Sequence, residues 1–321
     1  MRHIHSITSA AVGSMIGMTA VMGTAQAADW PAQTIAMIVP YAAGGTTDVS
    51  VRQLARMAEA ELGQPIVVEN RPGGSGTNAM RAVASANPDG YTLIATTSSP
   101  SFVTPALRDT GYDPLGDFVS IMNYSGPYHG VLVPAEAPYD TLDQLIEAAK
   151  TDGTVTYGTA GAMGGAHLAF EKLAKETGAK LQHVPFDGAS SATAAVLGDH
   201  VDVALVPAYR DLVQDGQLKL LAVLDPEADP DFVDVPTLRD AGYDVEFPSM
   251  VGVMAPAGTA PEIVQKLETV FMQIAETEEF AQFMTKLNQP VRIMSGEEMA
   301  ETIAANLESY RAIGESMGQS Q

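Results

Sequence analysis

The chain of 321 residues contains no cysteine. Disulfides, thiolate metal sites and cysteine nucleophiles are excluded with it, so the fold must be held by packing alone. A lipid anchor on an exported form would also need a cysteine, so a freely diffusing protein is expected. Positive charge is scarce: 17 Lys and Arg stand against 39 Asp and Glu, a formal net charge of −22. Such a balance repels nucleic acid and anionic membranes. Taken alone, the acid reads as a solvated surface and not as a site. Beyond the first 27 residues no apolar run approaches the roughly 18 residues that a membrane-spanning helix needs. There is no Gly-x-Ser-x-Gly elbow of the kind that presents a hydrolase serine. His129, His167 and His183 lack close ligand spacing, so neither a metal site nor a cofactor is expected.

What is present begins with a leader. Arg2 precedes an apolar segment from Ile7 to Met22 and an Ala25-Gln26-Ala27 cleavage pattern, so residues 1–27 read as an export signal. The remainder, in a chain that is 46% hydrophobic, is long enough for one large domain or two ordinary ones. Strand-like and helix-like segments alternate. Ile35 to Val39 precedes a helical pattern with apolar Val51, Leu54, Ala55, Ala58 and Leu62, closed by Gly63. Further strands are expected at Ile66 to Glu69, Thr92 to Ala95, Val155 to Tyr157, Leu181 to Val184, Val201 to Val206 and Lys219 to Leu224. This alternation predicts mainly parallel sheets flanked by helices, with the ligand site at the carboxyl ends of the strands.

Two stretches carry chemistry. Tyr41 to Asp48 and Gly158 to Gly165 both join a strand to a helix through paired glycines, and neither contains lysine or arginine. Backbone N–H groups at such a helix start, with the hydroxyls of Thr46 and Thr47, suit a carboxylate or phosphate. Two such units, one in each half, would face each other across a cleft. Asp48 reads as the N-cap of its helix, and His167 as a hydrogen-bond donor at the start of the second. The loops from Pro185 to Ser190 and from Pro207 to Arg210 are expected to open on the same cleft. Arg210 suits a second carboxylate or an exposed helix start equally well. Tyr41, Phe186 and Tyr209 would either line the cleft with rings or pack its loops. The acidic segment from Asp225 to Asp234, with two prolines, reads as surface.

Several runs occur in register with one known family: Ile38-Val-Pro-Tyr-Ala-Ala-Gly-Gly-Thr-Thr-Asp48, Leu62-Gly-Gln-Pro-Ile-Val-Val-Glu-Asn-Arg-Pro-Gly73, Pro88-Asp-Gly-Tyr-Thr-Leu93, Tyr157-Gly-Thr-Ala-Gly161 with Ala166-His-Leu168, His183-Val-Pro-Phe-Asp-Gly188, Asp234-Val-Pro-Thr-Leu238 and Ala255-Pro-Ala-Gly-Thr259. Together they span nearly all of the chain after the leader. The chain thereby resembles the periplasmic solute-binding proteins of tripartite tricarboxylate transporters, the Bug-type family. The resemblance implies an α/β venus-flytrap fold of type II kind with two interlobe crossovers, lobe I over 28–124 and 254–321 and lobe II over 125–253. It also implies a periplasmic monomer that hands a small organic carboxylate to membrane permease subunits. Carried over by position, the ligand-binding residues are Tyr41, Ala43, Gly44, Thr46, Asp48, Thr97 and Ser98 in the first lobe. In the second they are Thr159, Ala160, Gly161, His167 and Ser190, with Phe186, Tyr209 and Arg210 added from the loop reading above. Asp187 stands where the family often has lysine, and the Asp-Asn pair common near Pro207 to Arg210 is absent. Two other classes stay open on the sequence: a sensor subunit that presents its ligand to a receptor, and an exported α/β hydrolase, which turnover of a bound ester would reveal.

Overall fold

The structure, a computed structural model, describes residues 30–151 and 153–316, so the leader read over residues 1–27 lies outside the described residues. Among them the strands form two sheets. The first is built on β1 (Ile35–Val39), whose side chains are buried on both faces at Ile35, Met37, Ile38 and Val39. A strand covered on both sides belongs in the middle of a sheet. It pairs in parallel with β2 (Ile66–Asn70) and β3 (Thr92–Thr97). Between these strands run α1 (Thr46–Leu62) and α2 (Thr77–Ala84). The apolar stripe foreseen for α1 is buried in full, and Gly63 ends the helix in the left-handed region at φ 70°. After β3 a π-helical turn (Ser99–Val103) runs into the short α3 (Thr104–Leu107), and β4 (Phe118–Ser125) takes the chain to the second lobe.

The second sheet contains β5 (Gly130–Pro134), β6 (Val155–Thr159), β7 (Leu181–Pro185), β8 (Val203–Val206) and β9 (Leu218–Val223). Its helices are α4 (Leu142–Thr151), α5 (Gly165–Thr177), α6 (Ala189–Leu197) and α7 (Arg210–Gln214). The chain returns to the first sheet in β10 (Val251–Pro256) and ends with α8 (Pro261–Ala275), α9 (Glu278–Lys286), β11 (Val291–Ser295) and α10 (Gly296–Ser316). It therefore leaves the first sheet after Ser125 and rejoins it at Val251, crossing between lobes twice.

From one edge the first sheet reads β2-β1-β3-β10-β4-β11 and the second β7-β6-β8-β5-β9. In both, the first three strands are parallel and the strands beyond them antiparallel. The sheets are parallel where helices join consecutive strands, as alternation predicts. They turn antiparallel where β4, β5, β9 and β10 carry the chain across the lobe boundary. The two lobes thus share one plan in which β1–α1 corresponds to β6–α5. Each central strand ends at the cleft, and its helix begins there.

Candidate functional site

The two loop-to-helix turns are built alike, atom for atom in their caps. In the first, Gly44 has φ +81°, Gly45 is the N-cap with φ −76° and ψ 165°, and Thr46 opens α1. In the second, Met163 has φ +58°, Gly164 is the N-cap with φ −92° and ψ 168°, and Gly165 opens α5. The left-handed position is easy for glycine and strained for methionine. In each case the third helical residue reaches back to this position. Asp48 Oδ2 accepts the Gly44 N–H at 2.9 Å, and His167 Nδ1 accepts the Met163 N–H at 2.9 Å. Each loop is thus stapled by its own side chain; at the start of α5 the Gly165 N–H donates to Ser99 Oγ at 3.2 Å, and the other helix-start N–H groups face the cleft side of the turn.

Asp48 is therefore a third-position clamp and not the N-cap, since a residue two places inside the helix cannot adopt the extended N-cap backbone. Its carboxylate is buried and also receives Arg52 Nε at 2.9 Å and Asn70 Nδ2 at 2.8 Å. Burial by itself would raise its pKa. The bonds from Arg52, Gly44 and Asn70 outweigh that and hold it below the usual carboxylate range. His167 is likewise an acceptor and not a donor at Nδ1, so its proton sits on Nε2, 3.5 Å from Glu171 Oε1. Its ring stacks on His183 with centroids 3.8 Å apart. His183 Nε2 lies 2.7 Å from Thr159 Oγ1, which donates to Gly161 O at 2.8 Å, so His183 donates to the threonine. Burial lowers the proton affinity of both rings, His183 to about 4 with His167 as the second cause. Two neutral imidazoles thus brace the second loop from beneath.

Between the loops lies a cleft enclosing about 80 Å³. Of the residues expected at the site, it is lined by Tyr41, Thr46, Thr97, Ser98, Thr159, Ala160, Gly161 and His167. Among the described residues its wall contains no lysine, arginine, aspartate or glutamate. Tyr41 shares a 2.8 Å bond with Thr97 Oγ1, and burial pushes its phenol up, so it is a neutral hydroxyl here. Ser98 is committed to structure: it donates to Pro248 O and accepts the Met250 N–H, both at 2.8 Å. The far wall is apolar, with Leu205, Phe247, Met250 and Val251.

Other expected residues stand elsewhere. Ala43 and Gly44 are exposed outside the cleft, because the chain turns there before the helix starts. Ser190 is exposed on α6, and the preceding Ala189 reaches the cleft in its place. Phe186 covers Gly158, where an added Cβ would meet its ring at 2.9 Å, and it lines a neighbouring groove with Asp187. Tyr209 is fully buried in the second lobe and donates to Asp229 Oδ2 at 2.7 Å. Arg210 pairs with Asp231 and donates to Thr285 O at 2.6 Å, so its fork is used between lobes and not on a ligand. The acidic segment is not all surface either, since Asp225 and Asp229 are each 1% exposed.

Sequence reasoning missed Ser75, His129, Phe247 and Ser249 as lining residues, whereas Ser99, in the hydroxyl-rich run Thr96 to Ser99 at a carboxyl strand end, was legible. The Gly73-Gly-Ser-Gly76 run at the end of β2 was the available signal for Ser75, since it also sits at a carboxyl strand end. Nothing local marked Phe247 or Ser249, which arrive from the return crossover. Ser249 Oγ lies 2.9 Å from His129 Nδ1, with Asp225 Oδ2 3.8 Å from the same nitrogen. Serine and carboxylate on one nitrogen do not make a nucleophilic triad, which needs them on opposite sides of the ring.

Comparison with known proteins agrees with this geometry. Residues 50–319 match the family described as tripartite tricarboxylate transporter family receptor. The chain is 36% identical over 311 residues, 96% of itself and 95% of its relative, to the UPF0065 protein in the gbd 5′ region of Cupriavidus necator. In three dimensions it is similar to the periplasmic binding protein BugD, with a TM-score of 0.84, 27% identity and coverage of 90% of this chain and 99% of that one. It is similar also to MatC of Rhodopseudomonas palustris with bound malate, with a TM-score of 0.83, 26% identity and coverage of 89% and 100%.

Proposed function

Since the chain belongs to the tripartite tricarboxylate transporter receptor family, whose members are solute-binding proteins and not enzymes, we propose that the cleft between its two stapled loops is where it captures a small organic carboxylate. The observation that carries this reading is the convergence of two helix starts and a ring of hydroxyls on one cleft whose described wall has no charged carboxylate or cationic side chain. An anion held there is held by N–H dipoles and hydroxyls, which favour negative charge without a counter-ion. Thr46 and Thr47 would serve the first lobe's end of the ligand, Thr159 to Gly161 and the start of α5 the second. The lobes correspond to the two sheets, and closing them completes the donor set. The protein would work outside the cytoplasm as a monomer and pass its ligand to the membrane subunits of the transporter.

Malate bound to MatC suggests where a search begins. In a thermal-shift screen of mono-, di- and tricarboxylates, a ligand at about 100 times its Kd is expected to stabilise by about 2.7 kcal/mol. Thr46→Val should reduce that shift while the unliganded melt stays the same. A panel in which no carboxylate raises the melting temperature would overturn the reading.

A further inference from the structure

One side chain of the cleft is left without a task. His129 stands just before β5, where the chain enters the second lobe, and its ring lines the cleft. The ring is fixed on one side. Nδ1 lies 2.9 Å from Ser249 Oγ and 3.2 Å from Pro127 O, and the ring meets Phe247 edge-on with centroids 5.0 Å apart. A carbonyl can only accept, so the Pro127 contact is a hydrogen bond in the tautomer that carries its proton on Nδ1. Nε2 is then the ring atom with no hydrogen bond to the described protein. His167, the other histidine of the cleft wall, has no such freedom, because both its nitrogens face protein groups.

Asp225 lies behind His129. Its side chain is 0% exposed; one oxygen accepts the His129 N–H at 2.8 Å and lies 3.8 Å from Nδ1, and the other is buried with no hydrogen-bond partner. A carboxylate withdrawn from water in this way is costly unless a positive charge stands beside it. Other charged and titratable groups around this corner are already matched. Arg292 pairs with Glu227 at 3.2 Å and sits over the Tyr128 ring, and Glu246 pairs with Arg239 at 2.7 Å. The phenols of Tyr209 and Tyr310 are raised by burial first and by acids that include Asp225, and so stay neutral. The group placed to answer Asp225 is the imidazole of His129.

We propose that His129 is a specificity-determining residue of the cleft: it takes up a proton from solvent as the ligand binds, and its Nε2–H then grips a second anionic group while Asp225 balances the imidazolium from behind. This rests on the carboxylate reading of the cleft and narrows it to ligands carrying two anionic groups. In the free protein Asp225 is held by the His129 backbone N–H, and its second oxygen has no hydrogen-bond partner. When the second carboxylate arrives, proton, imidazole and Asp225 form a charge-assisted chain that a ligand with one anionic group cannot complete.

The test is calorimetry on the intact protein at pH 7.5 in two buffers of different ionisation enthalpy. The probes are malate against 3-hydroxybutyrate and adipate against hexanoate, pairs in which a methyl replaces one carboxyl. All four acids are fully ionised at that pH, so any proton taken up goes to the protein. The expected result is uptake approaching one proton per diacid bound and none for the monoacids. Diacid affinity should rise as pH falls from 8 to 6, by at most about tenfold per unit. His129→Gln, with its fold checked by circular dichroism, should abolish the uptake and flatten the pH profile. Diacid binding with no proton uptake by the wild-type protein, uptake that survives in H129Q, or preference for the monoacids would each overturn the inference and leave the carboxylate reading standing. Failure of all four probes to bind would overturn the carboxylate reading and this inference with it.

Discussion

Asp48 and His167 show how position decides what a side chain does. Both occupy the third residue of a helix, both accept the N–H four residues back, and one does so as an anion, the other as a neutral ring. The difference makes the second loop sensitive to acid. Protonating His167 at Nδ1 would turn an acceptor into a donor facing another donor, the Met163 N–H. Its stacked neighbour His183 has its pKa lowered to about 4, by burial first and then by the His167 charge. The unfolded chain, with an ordinary value near 6.5, binds protons that the folded chain refuses between these limits. Stability should therefore be complete above about pH 6.5 and fall progressively as pH drops toward 4. Thermal melts of the wild type and of His183→Gln across this range should converge as pH falls. Parallel slopes would show that His183 does not carry the dependence.

At the scale of elements, the recurring unit of strand, glycine turn and helix was legible because it writes itself into short sequence: a buried run, paired glycines, then a three-four apolar spacing. That spacing placed Leu54, Ala58 and Leu62 on the core, where they are buried. Less legible was what meets the turns from a distance. An added Cβ at Gly165 would fall inside the Phe247 ring, a neighbour 82 residues away in a segment with no regular pattern, whereas at Gly45 it would lie 3.5 Å from Ala42 O, an ordinary contact. Gly165→Ala is therefore expected to displace Phe247 from the cleft wall and destabilise by about 1–3 kcal/mol. Gly45→Ala should stay much closer to wild type. Denaturant titration of the two variants checks the order, and equal losses would show that the glycines matter only for their backbone. The same distance effect decides between the two readings left open for Tyr209 and Arg210: a loop can follow a cleft-facing strand and still turn its side chains into the lobe behind it, toward Asp229 and Asp231.

On the scale of the whole molecule, closure involves more than the ligand. Thr104 Oγ1 donates to Met163 O at 2.8 Å, Gly165 N–H donates to Ser99 Oγ at 3.2 Å, and Ser75 Oγ donates to Ala162 O, all from one lobe to the other. These bonds fall on the second loop, so the element proposed to receive the ligand also receives the opposite lobe. In a chain of net charge −22, long-range electrostatics slow an anion's approach and do not help hold it. Retention must then come from contacts made only when the lobes meet. Thr104 is fully buried and does not line the cleft, which separates this effect from ligand contact. Thr104→Val keeps shape and removes one hydrogen bond, leaving the Met163 carbonyl unpaired in the closed form but solvated in the open one. A loss of about 1 kcal/mol from the closed form alone is expected, close to a fivefold rise in ligand dissociation rate. Association, which begins from the open form, should stay within about twofold. Stopped-flow displacement of a bound carboxylate separates the two rates, and a change confined to association would mean that closure does not govern retention.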